Sequence, residues 1–313
     1  MALAVGLAAG CGPDEVVPAR GLDAAAAVVD ARVDATIDAA STAWTVFVIV
    51  LENHDYDEII GSADAPYINA LLPEAVLATD YHETGSRSQP NYLHLVSGAN
   101  QYPGTINTLP TEAPFPVDEP DLGAALTAGG LWWRTYQQSM GMPCRLTNAG
   151  RYVVRHNPFV YFAALQEDHD ACVEHVVDLG ALADDLAANR PRLAWLQPDL
   201  IDGGHDPAAD PPAALRASDA WLAATLPTVR ASAGYANGGV VLLTWDEAVG
   251  RDGRSETRVP LVMLSPRLRA PGTTVDEPLD HGALLATVLD VLGLARLPAV
   301  ATRPSLAVEL EPP

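Results

Sequence analysis

The chain has 313 residues, with 18 basic and 40 acidic side chains, a formal net charge of −22, 49% hydrophobic residues and 19% charged ones. That apolar share predicts a globular protein with a substantial core, and the length allows one large α/β domain or two ordinary ones. The charge excludes a nucleic-acid binder, which needs a basic footprint, and disfavours adsorption to anionic membranes.

Residues 1–11, MALAVGLAAGC, form a short apolar run that ends in small residues before Cys11 and reads as an export segment. The run is similar to a bacterial lipoprotein signal, in which that cysteine is lipidated and becomes the new N-terminus. No basic residue precedes it, and the alternative is a disordered apolar start on a cytosolic protein. The expected location is a cell-surface or outer-membrane lipoprotein, or a periplasmic or secreted protein, touching membrane only through that anchor. No later apolar run approaches the length of a membrane span. Residues 12–43, rich in Ala and Asp and without aromatic anchors, read as a flexible acidic linker. Residues 44–313 are then the folded domain.

Within it, TVFVIVLEN is a continuous β-branched run, the signature of a strand buried on both faces. A polar loop, the short helix ADAPYINALL and the stretch EAVLATDYHE lead to SRSQPNYLHLVSG, residues 86–98. Pro90 suits a first helical turn, because its missing N–H costs nothing there. Ser88 is then expected at or beside the N-cap, among unpaired N–H groups at the positive end of the helix dipole. Such a place binds phosphate and favours an alkoxide, with Asn91 one turn on; an ordinary capped helix is the plainer reading. Residues 121–190 read as helical and loop-like, with Cys144 and Cys172 expected to form a disulfide or to remain two buried thiols. RLAWLQPDL, GGVVLLTWDE and VPLVMLSP are three further buried strands, PAALRASDAWLAATLPTVRAS is an amphipathic helix, and Asp280-His281 precede a last helix, ALLATVLDVLGL. The alternation predicts one three-layer α/β/α sandwich with a mostly parallel sheet.

Three strand ends carry polar clusters: Glu52-Asn53, Asp202 to Asp206 around His205, and Asp246-Glu247. Ligands gather at the carboxyl ends of parallel strands. Carboxylates crowded there repel and desolvate one another unless a cation holds them, and a hard divalent ion with oxygen ligands satisfies them best. With Ser88 as nucleophile, the chemistry that fits is phosphoryl transfer through a phosphoserine that water later hydrolyses.

The ordered set ENHDY, SQPNYLHLVSG, HNPFVYF, GGHD, SDAWL, TWDE and the late His281 resembles the bacterial and fungal phosphoesterase family of acid phosphatases and phospholipases C, within the alkaline phosphatase-like superfamily. The resemblance spans nearly all of residues 45–295. It implies Glu52, Asn53, Asp246 and Glu247 as ligands of a divalent metal (Mg, Ca, Mn, Fe or Zn), with Ser88 as a nucleophile that also touches it. Asn91 becomes a phosphate contact, His156 and His205 bind phosphate or protonate the leaving oxygen, and His281 matches a late histidine that binds metal elsewhere in the superfamily. His156 and His281 also read as a core histidine and a plain helix-start residue. Two departures stand out. Ser86-Arg87 replace a His-Pro common in the family, so Arg87 is expected to supply the missing phosphate contact. Gly203 stands where an acid often lies, two residues before His205.

The expectation is an exported, metal-dependent phosphomonoesterase acting on a small phosphate ester, monomeric and without nucleic acid. A phospholipase C or another phosphodiesterase is the runner-up, less favoured because the chain ends soon after the core. A non-catalytic surface binding protein on the same scaffold is the alternative of another class, and it would be expected to have lost Ser88 or Asp246.

Overall fold

Val46–Leu51 (β1), VFVIVL, is fully buried along its length, which is what a run of six apolar residues can satisfy only between two covering layers. The computed structural model describes residues 44–85, 87–99, 107–249 and 257–312, and contacts gather Ala43–Pro313 into one unit. The strands that follow are Val76–Ala78 (β2), Tyr81–His82 (β3), Trp133–Gln137 (β4), Val176–Asp178 (β5), Leu193–Gln197 (β6), Val240–Trp245 (β7), Leu261–Leu264 (β8), Thr273–Val275 (β9) and Leu279–Asp280 (β10). Eight of them make one sheet in the order β5-β4-β6-β1-β7-β8-β2-β9, and β10 pairs with β3 separately. Only β8 runs against its neighbours, so the sheet is mostly parallel. Helices cover both faces, giving the expected α/β/α sandwich. On one side the Ser88–Ser97 helix packs against His281–Val291, and elsewhere Pro66–Leu71 packs against Pro211–Ala231.

Two strands lie in the stretch that read as helix and loop. β4, WRTYQ, carries too many polar groups to look like a core strand, yet its middle is buried. Several of its polar atoms find partners: Gln137 Nε2 donates to Thr135 Oγ1 at 2.6 Å, and Arg134 Nη1 to Asp185 Oδ2 at 2.7 Å. β5 and a tight turn occupy VVDLGA, so the helix there is shorter than its periodicity predicts, Leu182–Ala187.

The Ser88–Ser97 helix begins earlier than Pro90 suggests. Arg87 is the N-cap, with extended backbone at φ −155° and ψ 151°, and Ser88 is the first helical residue. Pro90 still sits in the first turn, where no intrahelical N–H bond is lost; the first such bond runs from Asn91 N to Arg87 O. Gly98 ends the helix at φ +69°, where a Cβ would also meet Val300 Cγ1 at 2.4 Å. Glycine is required there on both counts.

Cys144 and Cys172 are bonded, with Cα atoms 5.3 Å apart across a sequence separation of 28. The bond ties the loop after β4 to the His169–His175 helix, where Cys172 is buried. Replacing both cysteines by serine is expected to lower stability by about 3.5 kcal/mol, the chain-entropy value for a loop of this size, read as the shift of the denaturant midpoint at unchanged slope.

Candidate active site

β6, β1 and β7 are neighbours in parallel register, with Leu51 opposite Trp245, so the residues just past their carboxyl ends meet. Glu52 and Asp246 arrive there with no exposed surface at all. Glu52 N donates to the Gly203 carbonyl at 2.8 Å, which draws the loop after β6 across the end of β1. A Cβ on Gly203 would lie 2.8 Å from Asp199 O and 3.4 Å from Glu52 Cγ. A larger residue is thereby kept out of that close approach.

Asn53 turns the chain at φ +46°, a left-handed conformation that asparagine tolerates better than other non-glycine residues. Its amide oxygen faces Glu52 Oε2 and Asp246 Oδ1, so acceptors meet acceptors. Reversing the amide lets its nitrogen donate to Glu52 Oε2 at 2.9 Å and to Asp246 Oδ1 at 3.3 Å. A hard cation among the three oxygens relieves the same repulsion without the reversal. Asp246 Oδ2 is buried and meets no donor among the described residues, a vacant lone pair of the kind a cation would use. As they stand, no three His, Cys, Asp or Glu side chains among the described residues form a ready metal cluster. The set that fits is two carboxylates and an amide oxygen: Glu52, Asp246 and Asn53.

Glu247 lies apart from that set. It accepts from the Ser88 hydroxyl at 2.8 Å through Oε1, so this oxygen is directed at Ser88 and not at the Glu52–Asn53–Asp246 group. Burial pushes all three carboxyls up. Glu52 rises to about 8, with the Tyr92 hydrogen bond and the Arg155 charge opposing and Glu247 adding to the rise. Asp246 is raised well above its ordinary value by burial and then by Glu52 and Glu247. Glu247 is raised by burial against the Ser88 hydrogen bond and the charges of Arg87 and Arg155.

Asn91 is fully buried, and its amide is occupied by the preceding turn. Oδ1 accepts from Gly85 N at 2.7 Å and Thr84 N at 3.0 Å, while Nδ2 donates to Gly85 O at 3.1 Å. This differs from a phosphate contact: the amide fixes the backbone just ahead of Ser88. Arg87 is exposed at the N-cap, next to Ser88, and Ser86 lies outside the described residues, as does Cys11.

The three histidines separate cleanly. His281 Nε2 lies 2.6 Å from the Asp246 carbonyl and Nδ1 lies 2.7 Å from the Tyr81 hydroxyl. A carbonyl only accepts, so Nε2 carries the proton and Nδ1 accepts from tyrosine. Burial lowers the ring to about 3, keeping it neutral. With both nitrogens taken, His281 has no lone pair for a metal, and the expected ligand is instead a clamp on the Asp246 backbone. His156 is buried with Nδ1 3.2 Å from Glu52 Oε1, and burial holds it well below its usual range. His205 is half-buried, with Nδ1 3.0 Å from Asp206 Oδ1 and Nε2 3.2 Å from Arg155 Nη2. Asp202 is turned to Gln138 Nε2 at 2.5 Å.

Arg155 was not among the residues the motifs singled out. It is half-buried, touches His205 and acts electrostatically on both Glu52 and Glu247, and its one sequence signal is adjacency to His156. Tyr92, four residues after Ser88, also donates to Glu52.

The phosphoesterase family profile matches residues 62–295, about three quarters of the chain. A phosphatidylinositol-3-phosphatase of Mycobacterium tuberculosis is 29% identical over 80% of this chain and 77% of its own. A phosphate-repressible acid phosphatase of Penicillium chrysogenum is 24% identical over 80% of this chain and 59% of its own. Among solved structures, an alkaline phosphatase superfamily protein of Vibrio parahaemolyticus superposes with a TM-score of 0.61 at 13% identity, covering 83% of this chain and 69% of that one.

The raised Glu52 carboxyl predicts a pH signature for the chelator-treated protein. A carboxyl whose folded value exceeds its unfolded one stabilises the fold at low pH and loses that contribution as pH rises through the folded value. The melting temperature is therefore expected to fall between about pH 4.5 and 8, and Glu52→Gln to flatten that slope in differential scanning calorimetry. A slope unchanged by the substitution would contradict the assignment.

Proposed function

This chain belongs to the phosphoesterase family, hydrolases of phosphoric esters, and from that premise we propose an exported, metal-dependent phosphomonoesterase of the acid phosphatase type, working through a phosphoserine. The observation that carries the reading is the Ser88 hydroxyl donating to Glu247, beside two further buried carboxylates. The Glu247 carboxylate takes the Ser88 proton as Oγ forms its bond to phosphorus and the ester P–O bond breaks. Once Arg155 turns from His205 Nε2 to the phosphoryl oxygens, His205, held at Nδ1 by Asp206, carries a proton on Nε2 for the leaving oxygen and afterwards takes one from the water that hydrolyses the phosphoserine, while Glu247 returns its proton to Ser88 Oγ as the P–Oγ bond breaks. His156 is unsuited to that task, since burial keeps it neutral and its Nδ1 faces Glu52.

Glu52, Asn53 and Asp246 would hold a divalent cation, which when bound polarises a phosphoryl oxygen and makes the serine hydroxyl more acidic. Arg155 and Arg87 are the cations available to the remaining phosphoryl oxygens. Monoester over diester action is supported by the names of the mycobacterial and Penicillium relatives, both phosphatases. Export is supported by the apolar start ending in Cys11 and by the Cys144–Cys172 disulfide. No described helix is long and apolar enough to cross a membrane, and a lipid on Cys11 is the proposed anchor. The partner is a small phosphate ester, and the chain works as a monomer. The non-catalytic alternative expects a lost nucleophile or acid pair, and both are present.

Hydrolysis of p-nitrophenyl phosphate and of its phosphorylcholine diester, with and without chelator, tests the class. Ser88→Ala is expected to lower monoester turnover by a factor on the order of 10³–10⁶, the range for loss of an enzymic nucleophile. Full activity in that variant would overturn the mechanism, and a diester preference with the same losses would favour the phospholipase C reading. His205→Ala separates the acid from the nucleophile. It is expected to slow an alkyl phosphate by about 10²-fold or more and p-nitrophenyl phosphate far less, because nitrophenolate leaves without a proton.

A further inference from the structure

The two oxygens of Glu52 live in different surroundings, and Tyr92 makes the difference. Tyr92 sits one helical turn beyond Ser88, on the same face. Gln197 Nε2 donates to its phenol oxygen at 2.7 Å and also reaches the Val50 carbonyl at 3.3 Å. The carbonyl can only accept, which fixes the orientation of the Gln197 amide. The one phenolic proton is then committed to Glu52 Oε1. His156 lies with Nδ1 3.2 Å from the same oxygen, its ring stacked on Tyr92 at 5.0 Å and 21°. Oε1 is thus enclosed by a phenol and an imidazole, both buried. Oε2 is left facing Asn53, next to Asp246.

We propose that Tyr92 is a positioning residue that divides the labour of the Glu52 carboxylate, holding Oε1 in a buried phenol–amide chain so that Oε2 alone is presented to a divalent cation. The inference rests on the cation reading above and assigns to the nucleophile's own helix the task of setting the cation site. Because Ser88 bonds Glu247 at the end of β7 and Tyr92 bonds Glu52 at the end of β1, one turn of helix fixes Ser88 relative to the Glu52 carboxylate that would hold the cation. A monodentate carboxylate leaves coordination positions open for a substrate oxygen, whereas a freely rotating one could close over the ion with both oxygens.

The test is calorimetric titration of the chelator-stripped, dialysed protein with Mg²⁺, Ca²⁺, Mn²⁺ and Zn²⁺ in turn. Tyr92→Phe keeps the ring, its volume and its stack on His156, and removes only the hydroxyl. The variant is expected to bind the preferred ion about 10- to 100-fold more weakly, the usual effect of losing a partner that orients a metal ligand. Its phosphatase turnover should return towards wild type as that ion is raised to saturation. A purely structural defect would not respond to the ion.

Gln197→Leu removes the donor that commits the phenolic proton, and is expected to weaken binding about three- to tenfold; it carries the test if Tyr92→Phe does not fold. An unchanged dissociation constant in the folded variant overturns the role of Tyr92 and leaves the cation reading standing. A wild-type protein that binds none of the four ions overturns both.

Discussion

The arrangement of this protein depends on three carboxyl groups that the sheet carries out of water. Glu52 and Asp246 follow directly from adjacent parallel strands, β1 and β7, and are fully buried, with Glu247 half-buried beside them. An isolated ionised carboxylate in such a place is prohibitive, so each must be protonated, hydrogen-bonded or paired with a cation. The surrounding residues can be read as answers to that demand. Tyr92 donates to Glu52, Ser88 donates to Glu247, and Asp246 accepts from the Asn53 backbone N–H at a long 3.4 Å through Oδ1 while its buried Oδ2 meets no donor within hydrogen-bond distance among the described residues. The shortfall is concentrated on Asp246, which is where a cation would make the largest difference.

The Ser88–Ser97 helix is the part that converts this demand into a site. Its dipole favours negative charge at Ser88, yet the dipole alone would not fix the serine to within a bond length. The turn before it is held by Asn91, whose amide bonds to the backbone of Thr84 and Gly85. The Tyr81 hydroxyl and His281 then brace the Asp246 carbonyl from the far side. Residues that the motifs assign to ligand binding, Asn91 and His281, are here holding the turn before Ser88 and the Asp246 carbonyl in place. An asparagine or histidine in a motif fixes a location, and the hydrogen-bond partners decide whether it touches the substrate or the protein.

That distinction also marks what could be read from the chain. β1, β6, β7 and β8 were legible because long apolar runs have few other fates, and the three strand-end clusters followed from parallel order. The Ser88 helix was legible to within two residues, since proline is tolerated throughout the first turn and does not specify N1. β4 was missed because Gln137 bonds Thr135 within the strand and Arg134 bonds Asp185 outside it, partnerships invisible without coordinates. Arg155 and Tyr92 carry no spacing signal of their own. Their importance comes from which oxygen they face, and for Tyr92 that depends on the register of a helix against a strand that lies forty residues away in sequence. His281 lies against Asp246, and that both its nitrogens bond within the protein is a matter of partners that a motif does not carry.

A chain of net charge −22 that acts on phosphoric esters must reverse its own field locally. At physiological ionic strength the screening length is about 8 Å, so distant surface acids act on an incoming anion mainly at long range. Close to the site the balance is different. Arg155 acts electrostatically on Glu52 and Glu247 and is bonded to His205, while Arg87 stands exposed at the helix N-cap. Burial disfavours charge on Glu52 and Asp246, and a cation would neutralise what remains, so that Glu247 is the one carboxylate of the cluster that the proposed chemistry needs ionised. The same desolvation that makes the cluster costly thus limits its repulsion of an anion, against which two arginines and a helix N-terminus stand as the positive charges.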